Sequence, residues 1–333
     1  MTSHSPTKSA HSAKIGITLG DPSGIGPEIV AKALSARSAE ELSRIVIFGE
    51  EFILAQQWDA QGAHPIQRPS SVSPNILNAA DVTLGRPNAK TARAQVAYLE
   101  AALEAARAGE IAGLATAPIS KTQAALAGFD FPGHTEFLCD GFGCDAVAMM
   151  FAGPKLNVVL ATVHEALADV PTVLTVETVR SAIVLAARAM QNDFGVASPR
   201  IGVLGLNPHA GEGGKFGEEE ERIIRPAMKL ASEELSNQVS LEGPLVPDAA
   251  FRMPFDCFVA MYHDQGLIPV KLIDFDESVN TTLGLPIVRT SPDHGVAYDI
   301  AADGIARATS MQAAIDLAFR LVDQRETKRA IES

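Results

Sequence analysis

Met261–Ile300 reads MYHDQGLIPVKLIDFDESVNTTLGLPIVRTSPDHGVAYDI, and it is poor material for a hydrophobic core. It carries His263 and His294, the cations Lys271 and Arg289, Asn280, several carboxylates and a series of glycines. Charged side chains are seldom fully buried unless paired. Turn formers this dense beside hydrophobic runs read as strand ends and loops that face a site. The rest of the chain is therefore expected to converge on this segment.

Working outward, three apolar runs each end on a histidine. Asn157–Thr162 is followed by His164, Arg200–Leu206 by Asn207-Pro208-His209, and Phe255–Met261 by His263. In α/β sheets the C-terminal ends of strands line the ligand crevice. Three imidazoles there could hold one divalent metal and leave a coordination position open for substrate. Any one of these histidines alone would read as a hydrogen-bonded loop residue; three equivalent placements favour the metal. Spacing adds little, because no pair sits at HxxxH distance. Asp248, Asp264 and Glu165 read as outer acceptors or a base, or simply as turn residues.

The N-terminal part alternates strands and helices. Ile15–Leu19 leads into Gly20-Asp21-Pro22-Ser23-Gly24-Ile25-Gly26-Pro27-Glu28, a strand, a Gly-rich turn and a helix start with Pro and Glu in its first turn. Such a turn could cradle an anion with backbone N–H groups, or be no more than a tight connection. It is neither GxGxxG nor a P-loop. Arg44–Phe48 is a strand, Thr91–Ala108 an amphipathic helix stopped by Gly109, and Ile111–Ala115 a strand running into Thr116-Ala117-Pro118-Ile119-Ser120-Lys121. His134 precedes Thr135, a plausible N-cap, where a neutral ring and a hydroxyl could meet a phosphate or carboxylate or merely cap a helix. Val147–Phe151 and Asn157–Thr162 pair as a hairpin across Gly153-Pro154. Glu177–Met190 and Glu218–Leu235 read as helices, Leu241–Asp248 as turn-rich, and the chain from Ala297 onward as helical. Asp59–Asn75 reads as a surface connection.

Composition narrows the classes. At 333 residues the chain is too long for one ordinary core, so two domains or one large α/β unit are expected. Its 47% hydrophobic and 20% charged content is that of a globular protein, and its apolar runs are too short to span a membrane. The opening MTSHSPTKSAHSAK has no apolar h-region and reads as a frayed tail rather than a signal peptide. Three cysteines without CxxC argue against a disulfide framework and fit a reducing cytoplasm. A net charge of −13 argues against a nucleic-acid partner, while a local cluster of Lys, Arg and His could still draw an anionic substrate.

GDPSGIGPEI (20–29), TAPISK (116–121), GHTEF (133–137), NPHAGEGG (207–214), MYHDQGLIPVK (261–271) and NTTLGLPIVRTSPDHG (280–295) together resemble the 4-hydroxythreonine-4-phosphate dehydrogenase family, over nearly the whole chain from Ile15 to about Ile305. The resemblance implies the α/β fold of the isocitrate and isopropylmalate dehydrogenases, two α/β/α domains with a cleft between them, and not a Rossmann domain. Residues 1–13 would be a disordered tail, 14–130 with 280–333 the first domain, and 131–279 the second domain with the metal ligands and dimer interface. It implies a nucleotide loop of the form HG-x-A-x-x-x-A, which His294, Gly295, Ala297 and Asp299 would provide for NAD, or for NADP if Asp299 points elsewhere. It implies a homodimer with a shared active site. Its metal ligands map onto His164 and His209 from one subunit and His263 from the other, holding Zn, Mg or Co. Its substrate contacts map onto His134, Thr135, Lys271, Asn280 and Arg289. The implied reaction oxidises the hydroxyl of 4-phosphohydroxy-L-threonine, then loses CO2 to give 3-amino-2-oxopropyl phosphate on the way to pyridoxal phosphate. Lys271, Asp248 and a metal-bound water are open as proton acceptor. The nearest alternative is a D-threonate or D-erythronate 4-phosphate dehydrogenase; a metal-dependent phosphohydrolase fits the loops less well.

Overall fold

The computed structural model describes residues 13–62 and 68–332. The expected tail lies outside the described residues apart from Ala13, as does the middle of the Asp59–Asn75 connection. Strands are β1 (Ile15–Thr18), β2 (Ile45–Phe48), β3 (Ser70–Val72), β4 (Gly113–Thr116), β5 (Ala148–Ala152), β6 (Asn157–Leu160), β7 (Arg200–Leu204), β8 (Ser240–Leu245), β9 (Cys257–Ala260), β10 (Val279–Leu283) and β11 (Val288–Ser291). They form one sheet in the order β3-β2-β1-β4-β11-β10-β5-β6-β9-β7-β8. From β3 to β11 the strands are parallel. From β6 to β8 they are again parallel. Antiparallel β10 and β5 join the two halves.

Strands in a parallel sheet are covered on both faces, so they read as continuous apolar runs rather than alternating ones. IGIT of β1 and CFVA of β9 are buried at every position. Helices Gly26–Ser35, Ala89–Arg107, Val176–Asn192 and Thr309–Glu332 cover the sheet and bury their apolar positions against it. One large core runs from Ile15 to Val322, and a second, around Phe151, Val158, Phe258 and Leu267, sits under β6 and β9. The Ala89–Arg107 helix begins on a capping box: the Asn88 side chain accepts from the N–H groups of Lys90 and Thr91.

Four local readings need correction. Leu241–Asp248 is not a turn: its first part is edge strand β8, where Pro244 is tolerated because an edge needs fewer ladder bonds. Met261–Ile300 is not all strand ends and loops. It contains helix His263–Ile273, hidden in the sequence by Pro269, and strands β10 and β11. The chain does not turn helical at Ala297; Ala297 and Gly304 take positive φ, and the helix waits until Thr309. Thr135 is not an N-cap: Gly133 holds that position and the helix is His134–Phe142.

The NPHAGEGG turn after β7 depends on one carboxylate. Glu220 is 2% exposed and accepts from the N–H groups of Leu206 (2.8 Å) and Asn207 (2.7 Å) and from the Asn207 side chain (3.0 Å). That grip holds His209 and Ala210 at positive φ, a conformation costly for residues with a side chain. Replacing Glu220 with Ala leaves partly buried donors without an acceptor. Urea unfolding of Glu220→Ala should show a loss of about 2–3 kcal/mol, and a loss under half that would contradict this role for the carboxylate.

Candidate active site

A cleft of about 490 Å³ opens where the two halves of the sheet meet. The ends of β4 and β11, the start of β10, Met149 and Phe151 of β5, the 132–136 turn and the residues after β6 and β9 line it. His134 stands at the first turn of its helix. Phe129, Phe131 and Phe137 pack against one another at 5.3–5.5 Å and hold the Pro132-Gly133 entry in place.

Arg289 dominates the cleft floor. It is 4% exposed, and its guanidinium donates to the hydroxyls of Thr282 (3.1 Å) and Thr116 (2.8 Å), with no ion pair to a carboxylate among the described residues. Burial pushes its pKa down to about 10. Thr135 and Thr282 share a 3.3 Å hydroxyl contact beside it. Three buried polar atoms around the same cleft have no hydrogen-bond partner among the described residues: Arg289 Nε, His134 Nε2 and Asn280 Oδ1. Burial first, then the charges of Arg289 and Lys121, hold the His134 pKa well below its ordinary value, so the ring is neutral at pH 7. Buried polar groups are rarely left unsatisfied in native proteins, so a cluster of them on a cleft wall marks where a ligand completes the hydrogen bonding.

The grouping of His164 and His209 with a partner's His263 concerns a dimer, whereas a single chain sets only the spacing of its own histidines. Within one chain the structure brings together His164 and His263, with rings 6.0 Å apart, because β9 lies directly beside β6. Two imidazoles sharing a tetrahedral metal would have ring centres about 5 Å apart, so this pair is near the required separation. Asp264 contacts His263 Nδ1 at 2.6 Å, an arrangement that leaves Nε2 to face a ligand. Burial, then the charges of Lys121 and His263, lower the His164 pKa and favour its neutral, metal-ligating form. His209 sits one strand further, after β7, with its ring 5.9 Å from Phe216. Asp248 is exposed on a short helix, Pro247–Ala250, packed against the His209 turn. Among the described residues, no three His, Cys, Asp or Glu side chains of one chain converge as a metal site.

Lys271 is also placed differently from the other expected substrate contacts. It pairs with Asp293, lies 5.5 Å from the Phe275 ring and does not line the cleft, although Asp293 does. Lys121 takes the cleft-facing place instead. TAPISK contains it, but its position after the capping residue Ser120 gave no sign of its direction. His294 and Gly295 are exposed and lie between this cleft and a second groove of about 440 Å³ that also includes Ile25, Ala297 and Ile300. Asp299 is exposed on the same loop. The GDPSGIG turn does not cradle an anion. It is buried, and its N–H groups are used internally: Asp21 donates to Pro118, Ser23 to the Asp21 side chain, Gly24 to the Asp21 carbonyl and Ile25 to Val296.

Comparison with known proteins agrees with this layout. Residues 41–318 match the family model described as pyridoxal phosphate biosynthetic protein PdxA. A 4-hydroxythreonine-4-phosphate dehydrogenase from Desulfosudis oleivorans is 44% identical over 324 residues, covering 92% of this chain and 95% of that protein. The crystal structure of a 4-hydroxythreonine-4-phosphate dehydrogenase from Klebsiella pneumoniae superimposes with a TM-score of 0.83 at 35% identity, over 95% of this chain and 99% of that one. An isocitrate dehydrogenase from Methylococcus capsulatus shares the fold alone, with a TM-score of 0.50 at 16% identity over 96% of this chain and 88% of that one. The isocitrate dehydrogenase-like α/β architecture expected from the sequence is therefore the observed one, and the chain belongs to the PdxA family of pyridoxal phosphate biosynthetic proteins.

Proposed function

We propose that the chain oxidises 4-phosphohydroxy-L-threonine with NAD, as its relatives' name indicates, and that the active unit is a homodimer. The observation that carries the substrate reading is the buried guanidinium of Arg289, which has no carboxylate partner among the described residues and shares the cleft with unsatisfied atoms of His134 and Asn280. A phosphate or carboxylate would supply the acceptors that Arg289 Nε and His134 Nε2 lack, and Arg suits bidentate contact with either, while Asn280 Oδ1 needs a donor such as the substrate's ammonium or hydroxyl group. Neutral His134 and the Thr135 hydroxyl can donate to the same anion. The groove along His294–Ala297 adjoins this cleft, so a dinucleotide there would bring its reactive ring to the substrate. Bound NAD would supply the acceptor for the hydride of the substrate's C–H bond, with the hydroxyl proton passing to a base, and the β-keto acid so formed would lose CO2. Lys271, which reaches the cleft wall only through its partner Asp293, and Asp248 of a second copy are the candidates for moving protons.

The imidazole donors suit a divalent cation of the zinc or cobalt kind better than magnesium, which prefers oxygen ligands, with His164 and His263 supplied by one chain. A bound cation would act as a Lewis acid on the substrate's oxygen atoms. The third ligand, His209, follows β7, one strand further from this pair, and the proposal assigns it, with Asp248, to the cleft of a second copy. Exposed Ile268 (67%), Leu272 (83%) and Phe275 (62%), in and just beyond the His263–Ile273 helix, and Leu167 (69%) form an apolar surface that a second copy would cover.

Mixed dimers test the sharing. His164→Ala and His209→Ala should each be inactive and metal-poor while still folded. Co-refolded in equal amounts, they should recover about a quarter of wild-type turnover, because half the dimers carry one intact site. No recovery would mean that His164 and His209 are supplied by the same subunit, and would overturn the assignment of His209 to the second copy.

Arg289 gives a second test. A base with a depressed folded-state pKa destabilises the fold wherever it is charged, here fully at every pH below about 10. The difference from its ordinary value corresponds to about 3 kcal/mol. Arg289→Met should therefore melt no lower than wild type, yet lose the thermal stabilisation that 4-phosphohydroxy-L-threonine gives, with kcat/KM down by about 100-fold. Stabilisation and turnover by D-threonate or D-erythronate 4-phosphate alone would keep the fold and change the substrate.

A further inference from the structure

Beside the cleft, two loops distant in sequence lie backbone to backbone. Asp21, which is 0% exposed, accepts from the Ser23 N–H at 2.8 Å and from the Tyr298 hydroxyl. The Ile25 N–H donates to the Val296 carbonyl at 3.0 Å. Between those two anchors stands Ala297 at φ 43°, a left-handed conformation that a residue with a side chain keeps only when its surroundings impose it. The approach is close enough to forbid side chains. A Cβ on Gly24 would sit 2.8 Å from the Val296 carbonyl oxygen, and one on Gly85 2.7 Å from that of Tyr298. The Ser120 hydroxyl also lies beside the Tyr298 oxygen, and Ser120 caps the helix whose first residue is Lys121.

Asp21 has no part in the chemistry derived above. It lines neither the cleft nor the adjoining groove, and burial raises its pKa, a cost offset in part by its bonds to Tyr298 and Ser23. Burying a carboxylate is expensive unless it is hydrogen-bonded, and this one spends both oxygens on fixing loop geometry. We propose that Asp21 and Tyr298 are positioning residues for dinucleotide binding: the 20–26 turn is a template that holds residues 294–299 in the strained shape that receives the cofactor. This rests on the reading of that loop as the nucleotide loop. The bond acts by preorganisation, so its loss should appear in dinucleotide affinity more than in the chemical step.

The test is titration of the metal-loaded enzyme with NADH, followed by nicotinamide fluorescence, beside steady-state kinetics. Tyr298→Phe removes one hydroxyl and keeps the ring. It should weaken NADH binding about tenfold and raise KM for NAD by a similar factor, with KM for 4-phosphohydroxy-L-threonine within about twofold of wild type. Asp21→Asn should act in the same direction, and the double variant should be no weaker than the weaker single, because the two side chains form one bond. Unchanged NADH affinity in Tyr298→Phe, whatever its melting temperature, would overturn the positioning role alone. Wild-type protein that binds no NADH would overturn the loop's assignment, and the positioning role with it.

Discussion

A buried positive charge with no ion pair among the described residues, offset in charge only by the field of Glu136, is the constraint on which the site depends. Arg289 projects from β11 between Thr116 at the end of β4 and Thr282 of β10, so three strands must meet in register to satisfy two of its donor groups. Two neutral hydroxyls compensate only part of the cost of removing a guanidinium from water. The free protein therefore holds a site less stable than an apolar filling would be, and a bound anion would offset that deficit. The surrounding fold can carry it: β1, β4 and β11 are buried at every position, and the helices that cover them fill one continuous core.

Much of this was legible in the sequence because it is written in local patterns. IGIT, RIVIF and RIGVL announce buried strands by their β-branched runs, and three strands ending on His164, His209 and His263 announce a site. Strand order was not legible. Nothing near His263 says that β9 inserts between β6 and β7, yet that insertion is what pairs His263 with His164 and leaves His209 one strand away. Lys271 looked like a substrate cation because its partner Asp293 lies on another loop, and pairings of that range are set by tertiary packing.

The local misreadings share one cause. Pro269 hid a helix that accommodates it, and Gly243-Pro244 hid an edge strand. Ala297 belongs to a good helix-forming stretch, but contacts from the 20–26 turn override that propensity. In each case tertiary structure overrode a residue preference, and two of the three, Pro269 and Ala297, fall within the segment that carries the site. Asp21 is the converse. The GDPSGIG turn looked like a phosphate cradle, and its N–H groups are instead committed to the protein itself.

The continuity of the eleven-stranded sheet limits how the molecule can move. Strands on either side of the cleft are hydrogen-bonded to one another through β10 and β5. A motion that separated β10 from β5 would break their ladder, so the two halves are tied more closely than bodies on a flexible linker. What the sheet can do is change its twist, a soft mode shared over many strands that rotates each half by a small angle. The cleft walls would then behave as the jaws of a torsion spring: small in travel, self-returning, and stiffest where β10 meets β5.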